Sequence, residues 1–131
     1  MSLILSNTLV VGKKKYMDLA RKLSYKSTHP KHKLGATIIK GSKILGLGFN
    51  KLRTDPLSPT PFHQIHAELD ALNDKDTKSF RGAKIYVYRK LQNGEQALAK
   101  PCIYCQKELK RRGVKECIYT EEKNTVGQIF L

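Results

Sequence analysis

Gly35-Ala36-Thr37-Ile38-Ile39-Lys40, then Gly41-Ser42, then Lys43-Ile44-Leu45-Gly46-Leu47-Gly48-Phe49 is the stretch on which the fold turns. Two apolar, partly β-branched runs with a two-residue connection between them predict a tight antiparallel hairpin. Upstream, Tyr16, Leu19, Ala20 and Leu23 recur at i, i+3, i+4 and i+7, so Lys13 to Tyr25 reads as an amphipathic helix with its lysines outward, broken at His29-Pro30. Downstream, Lys51 to Pro61 holds three prolines and one aspartate and is expected to be loop. A short helix should follow, with Ile65, Leu69 and Leu72 on its buried face and Asn73 to Lys78 at its exit. A third strand is predicted at Lys84 to Arg89, then a polar stretch with an Asn93-Gly94 turn. A helix from Cys102 to about Arg112 would pack Leu109 inward and stop at Gly113. A strand at Lys115 to Thr120, a Lys123-Asn124 turn and a short antiparallel strand near Gln128 to Leu131 complete the pattern. Strands linked by helices imply a partly parallel sheet with helices on its faces, and binding sites where loops gather at the carboxyl ends of strands.

The chain has 131 residues, enough for one domain with a single core. Lysine and arginine number 25 against 11 acidic residues, a net charge of +14, which points to anionic partners such as nucleotides or nucleic acid. The excess is uneven. Residues 1–40 and 81–131 carry it, while residues 41–80 hold five basic and five acidic side chains. A run such as Lys13-Lys14-Lys15 also reads as a solvated helix face. Three cysteines argue against a disulfide framework and for a reducing, cytoplasmic setting. The apolar Leu3-Ile4-Leu5 patch is cut short by Ser6-Asn7-Thr8 and precedes its lysines, unlike a signal peptide, and no run reaches membrane-span length.

The chemistry concentrates in two segments, His66-Ala67-Glu68 and Pro101-Cys102-Ile103-Tyr104-Cys105. Together they supply one imidazole, two thiols and a spare carboxylate. A catalytic zinc keeps three protein ligands and leaves its fourth tetrahedral position to water, whereas a structural zinc is closed by four. With a helix starting at Pro101, the i and i+3 sulfurs share one face and the positive helix end favours thiolate. Glu68 lies only two residues from His66, so it need not be a ligand and is available to handle protons.

These residues resemble the zinc-dependent cytidine, deoxycytidylate and nucleic-acid deaminases, whose signature is H-x-E followed by P-C-x-x-C. The likeness extends to Leu34 through Lys40 and to Gly46-Leu47-Gly48-Phe49-Asn50, which looks like the corresponding stretch of short deoxycytidylate deaminase-type members. The resemblance implies a three-layer α/β/α cytidine deaminase-like fold, with a mixed sheet of four to five strands and an antiparallel first hairpin. It implies zinc held by His66, Cys102 and Cys105, proton transfer by Glu68, and orientation of the nucleoside by Asn50 and the backbone around Ala67. It also implies a homo-oligomer. One departure stands out: relatives pass from the strand almost directly into P-C, whereas here Arg89 to Lys100 intervene, about ten residues beside the expected site. Relatives acting on transfer RNA carry extra C-terminal helix, and the short end here favours a smaller substrate.

The reading that follows is a soluble hydrolase converting the cytosine of a free nucleotide, foremost dCMP, to uracil with release of ammonia. The alternatives are a deaminase of a base in single-stranded DNA or RNA, favoured by the charge, and a non-catalytic zinc-stabilised binding module, disfavoured by Glu68. His29, His32 and His63 lack ligand-like spacing and are expected in loops or at the surface. Cys117, among apolar neighbours, is expected in the core. Phe62 and Tyr104 could either stack on a base or pack.

Overall fold

A computed structural model describes residues 14–52, 64–72 and 80–131. The chain runs α1 (Lys14–Ser24), β1 (Lys33–Lys40), β2 (Lys43–Phe49), β3 (Lys51–Leu52), β4 (Gln64–Ile65), α2 (Ala67–Leu72), β5 (Lys84–Lys90), β6 (Gln96–Ala97), α3 (Ile103–Arg111), β7 (Glu116–Thr120) and β8 (Val126–Phe130). The main sheet is ordered β2-β1-β5-β7-β8, with β6 pairing onto β5. Only β5 and β7, the two strands joined through α3, run parallel, and the other pairs in this sheet are antiparallel. The mixed sheet expected from the pattern is therefore present, with one strand more than the four or five anticipated.

Alternation along the strands divides the interior into two layers, because successive side chains leave opposite faces of a sheet. Ile38, Ile85, Val87, Cys117 and Tyr119 point to one face, where they meet Ala67, Ala71 and Leu72 of α2 and Leu109 of α3. Ile39, Tyr86 and Ile118 point to the other, against Tyr16 of α1. Helix α1 thus covers one side and α2 with α3 the other, which is the α/β/α arrangement. Cys117 is fully buried, as its apolar neighbours suggest.

The hairpin behaves as read. Lys40 pairs with Lys43 across the two-residue turn, and Gly41 takes a φ of 64°, a left-handed conformation open to glycine at no steric cost. Gly46 and Gly48, on one face of β2, serve a different purpose: a Cβ on Gly46 would lie 2.2 Å from Ala71 O, and one on Gly48 would lie 2.4 Å from Ala71 N and 2.6 Å from Ala67 O. Helix α2 therefore rests backbone against backbone on β2. Asp70 secures the same contact, accepting from Phe49 N at 3.0 Å and from Lys51 Nζ at 3.0 Å.

Three expectations need correction. Ile65 belongs to β4, paired with Lys51, so the helix begins later; Leu72 is buried and Leu69 packs against the core as expected, and Ala67, Glu68 and Ala71 complete the buried face. The stretch after Asn50 is not loop from its first residue, since Lys51–Leu52 pair with Gln64–Ile65. Pro101 is not the first residue of α3: Cys102 is the N-cap, with extended φ and ψ of −67° and 164°, and the helix starts at Ile103. Strand pairing decides the first two of these, and local periodicity carries no record of it. The polar stretch between β5 and α3 turns at Gly94, as expected, and returns as β6, with Arg89 opposite Ala97 and Lys90 opposite Gln96. The expected exit at 73–78, along with Phe62 and His63, lies outside the described residues.

A methyl group at Gly48 has nowhere to go, because the atoms it meets are main chain. Gly48→Ala is expected to lower stability by about 2 kcal/mol or more. Gly41→Ala has open space around its Cβ and carries only the cost of its backbone conformation. Denaturant midpoints of the two variants measure the difference. Equal losses would mean that α2 does not bear on β2.

Candidate active site

Three elements bring the reactive side chains together. His66 precedes α2 and its carbonyl accepts from Asp70 N at 2.9 Å, so it caps the helix that β2 positions. Cys102 caps α3, and Cys105 sits three residues on, in its first turn. The Cys102 side chain makes no cap hydrogen bond, and its sulfur converges with that of Cys105, the third helical residue, although Pro101 lies outside the helix. His66 Nδ1 is 3.2 Å from Cys105 Sγ and 3.9 Å from Cys102 Sγ. All three ligand atoms lie within 4.8 Å of one another, and among the described residues no fourth His, Cys, Asp or Glu joins them.

This set fits a tetrahedral zinc. Bonds of about 2.3 Å to sulfur and about 2.0–2.1 Å to nitrogen place neighbouring donors roughly 3.5–3.8 Å apart, and the two imidazole–thiol separations bracket that span. The electrostatics agree. Burial lowers the His66 pKa and keeps the ring neutral, as a ligand must be. Burial first, then the charge of Glu68, pushes the Cys105 thiol far up, so the helix end does not produce the thiolate by itself. A cation does what the helix cannot.

Glu68 is 4 % exposed, and burial pushes its carboxyl up to about 7, opposed by a hydrogen bond to its own backbone. It shifts both Cys105 and Cys117 through space, which places its charge beside the donor cluster without making it a donor. His66, Ala67, Glu68 and Cys102 line a cleft of about 260 Å³. Asn50, at the end of β2, lines it too. Asn50 is buried and clamps the preceding segment, Oδ1 accepting from Leu34 N at 2.9 Å and Nδ2 donating to His32 O at 2.6 Å.

Other walls of the cleft are residues to which spacing assigned no role: His32, Leu34, Arg89, Leu98, Ala99 and Lys100. His32 was expected only in a loop or at the surface; it is exposed, but its position against the cleft comes from the clamp by Asn50. Four of these residues come from the end of β5 and the segment after β6, the departure noted in the sequence. That segment is pinned to the end of β7: Thr120 Oγ1 donates to Ala97 O at 2.8 Å, Ala99 N donates to Thr120 O at 2.8 Å, and Gln96 Nε2 donates to Glu121 O at 2.7 Å and to Thr125 O at 2.8 Å. Tyr104 is 49 % exposed and does not line the cleft, so base stacking there finds no support. His29 also stays outside it, its Nδ1 accepting from Lys31 N and His32 N.

With this geometry established, comparison with known proteins becomes informative. Residues 11–121 match the cytidine and deoxycytidylate deaminase zinc-binding region, and the chain belongs to that family. Its metal is zinc, for which His66 and the two cysteines are placed. The mouse (Mus musculus) deoxycytidylate deaminase is 29% identical over 123 residues, covering 82% of this chain and 64% of its own length. The chain therefore spans a little under two thirds of that relative. Among solved structures, the dCMP deaminase of cyanophage S-TIM5 in apo form is 28% identical with a TM-score of 0.65, covering 85% of this chain and 83% of the phage protein. Cytidine deaminase from Burkholderia pseudomallei superposes with a TM-score of 0.67 at 18% identity, covering 89% of this chain and 91% of that one, and supports the fold alone. Among the described residues no helix is long and apolar enough to cross a membrane.

Cys102 is exposed while Cys117 is buried, which allows metal binding to be separated from packing. Zinc content by mass spectrometry is expected to fall to near zero in Cys102→Ala and to stay stoichiometric in Cys117→Ala, even though the latter loses core packing. Retention of zinc by the first variant would remove Cys102 from the ligand set.

Proposed function

We propose that this protein is a zinc-dependent hydrolytic deaminase of a free cytosine nucleotide, with dCMP converted to dUMP and ammonia as the leading reaction. The observation that carries the reading is the cleft itself: an imidazole and two thiols within 4.8 Å of one another, beside a buried carboxylate outside that cluster. Similarity to the cyanophage enzyme, solved also in complex with dCMP and dUMP, supports the choice of nucleotide. Net charge of +14 suits an anionic substrate.

His66, Cys102 and Cys105 would hold the zinc, which when bound brings the pKa of water to near neutrality and so supplies the nucleophile. Glu68 is the group that moves protons. Its carboxylate takes one from the attacking water and delivers it to the ring nitrogen next to the reacting carbon, then takes the proton left on the new hydroxyl, which becomes the carbonyl, and passes it to the amino group as it leaves. Burial suits it to both halves of this task, since a carboxyl held near 7 is neither a spent base nor a spent acid at neutral pH. The balance is simple. Water replaces the exocyclic amine, the carbon–nitrogen bond breaks, and ammonia departs.

Asn50 and the backbone around Ala67 would orient the nucleoside. The Asn50 amide uses one N–H and one lone pair on the main chain of residues 32–34, which leaves one of each for a sugar hydroxyl. A polymeric substrate is the second reading, motivated by the charge. Binding to single strands should then weaken steeply with salt as counterions are displaced.

Incubation of the zinc-loaded protein with dCMP, dCTP and cytidine, followed by ultraviolet absorbance, tests the reaction directly. We expect dCMP to be consumed, and Glu68→Ala to keep its zinc and fold while losing about 10² to 10⁴ in rate. Absence of turnover on every cytosine compound would end the proposal. Full activity in Glu68→Ala would end the role of that residue.

A further inference from the structure

We infer that Arg89, steadied by His32 and by the segment that follows β6, is the specificity residue that reads a phosphoryl group on the sugar of the base being deaminated. This rests on the reading of the cleft as a nucleotide deaminase site.

Arg89 ends β5 and lines the cleft. Its backbone N donates to Thr120 Oγ1 at 3.2 Å, which fixes where the side chain departs. Nη1 donates to Leu98 O at 3.3 Å, and Nη2 lies 2.7 Å from His32 Nδ1. A guanidinium can only donate, so His32 Nδ1 must be the acceptor and the ring proton sits on Nε2. His32 is accordingly held neutral, its pKa lowered by burial and by the charges of Arg89 and its neighbours. The guanidinium is aimed by these two contacts, and neither neutralises it.

Two observations show that the group is incomplete as it stands. Arg89 Nε is buried and has no hydrogen-bond partner. A buried donor left unpaired costs about 1–3 kcal/mol, and native proteins rarely tolerate one without a ligand or function to answer it. No carboxylate pairs with Arg89 among the described residues: the ion pairs there are Lys51–Asp70, Lys84–Glu116 and Arg111–Glu108. A cleft-lining guanidinium with no carboxylate partner among the described residues suits a planar or tetrahedral oxyanion, for which arginine is the preferred partner.

The composition of the cleft offers partners to two parts of a substrate. Glu68 is the one carboxylate among its lining residues and belongs with the zinc ligands, whereas Arg89 and Lys100 bring cations and His32 offers Nε2–H. A base seated by Glu68 and a phosphoryl oxygen met by Arg89 satisfy both. The phosphoryl group could be the monoester of a free nucleotide or a diester within a strand, and the chemistry of recognition is shared.

The test compares wild type, Arg89→Gln and Arg89→Lys, all zinc-loaded, on dCMP, on deoxycytidine and on the 5′-methyl phosphodiester of dCMP. Arg89→Gln is expected to lower kcat/KM for dCMP about tenfold to a hundredfold, mainly through KM, so that preference for dCMP over deoxycytidine collapses. Arg89→Lys should recover part of it, keeping the charge without the fork. Inorganic phosphate provides a readout independent of turnover: its affinity, followed by calorimetry and by the His32 ring signals in nuclear magnetic resonance, should fall by a similar factor in Arg89→Gln. An unchanged dCMP preference in a folded, zinc-loaded Arg89→Gln, or unchanged phosphate affinity, overturns the inference while the deaminase reading stands. If wild type turns over no cytosine compound, the deaminase reading fails, and the phosphate titration alone still decides whether Arg89 holds an anion. Preference for the monoester assigns the phosphoryl group to a free nucleotide, and equal use of the methyl diester assigns it to a strand.

Discussion

Helix α2 lies on strand β2 with main chain touching main chain, and the placement of His66 and Glu68 follows from that contact. Side chains of ordinary size at positions 46 and 48 would lift the helix away. Its N-terminus would then carry His66 off the sulfurs of α3 and Glu68 out of its burial. Asp70 adds direction to the contact, because its carboxylate accepts from the end of β2 and from Lys51 together. The result is a helix fixed in height by glycines and in rotation by a hydrogen bond. Both are needed for a donor set whose members must agree to within a few tenths of an ångström.

The cleft beside this contact is lined by charges of both signs. At the metal end, burial drives a carboxyl and a thiol toward their neutral forms, and a divalent cation is the natural counterweight to both tendencies. Arginine and lysine also line the wall, with no carboxylate to pair Arg89 among the described residues. Clefts walled by low-dielectric protein focus such fields, which favours an anionic substrate before contact is made. The segment carrying Leu98, Ala99 and Lys100 contributes to this only because Thr120 and Gln96 tie it to β7 and to the turn at 121–125. Untied, it would be a polar loop.

Much of the architecture could be read along the chain. The first hairpin, helix α1 and the strands at 84–90 and 116–120 each announce themselves by local periodicity and turn residues, and local signals survive into the fold when they agree with it. The zinc-ligand types were legible for the same reason: H-x-E and P-C-x-x-C need no partner elsewhere to be recognised. Ile65 was misread because its apolar side chain suits a helix face as well as a strand, and only the pairing with Lys51 distinguishes them. Pro101 lies two positions before the first helical residue rather than at it, since proline is compatible with either place.

What the sequence determined by itself is an inventory and a set of local conformations: an imidazole, two thiols, a carboxylate, and the turns and periodicities that put each at the end of an element. What only the tertiary structure decided is which side chains meet across the cleft. His32 and Arg89 are 57 positions apart and adopt their 2.7 Å contact because antiparallel pairing of β1 with β5 sets Leu34 opposite Arg89 and Asn50 holds the His32 carbonyl. No pattern in either segment foretells the other. A local signal reports the conformation of a few neighbouring residues, whereas a binding surface is made by register between strands, and register is settled only when both faces of the sheet are buried at once.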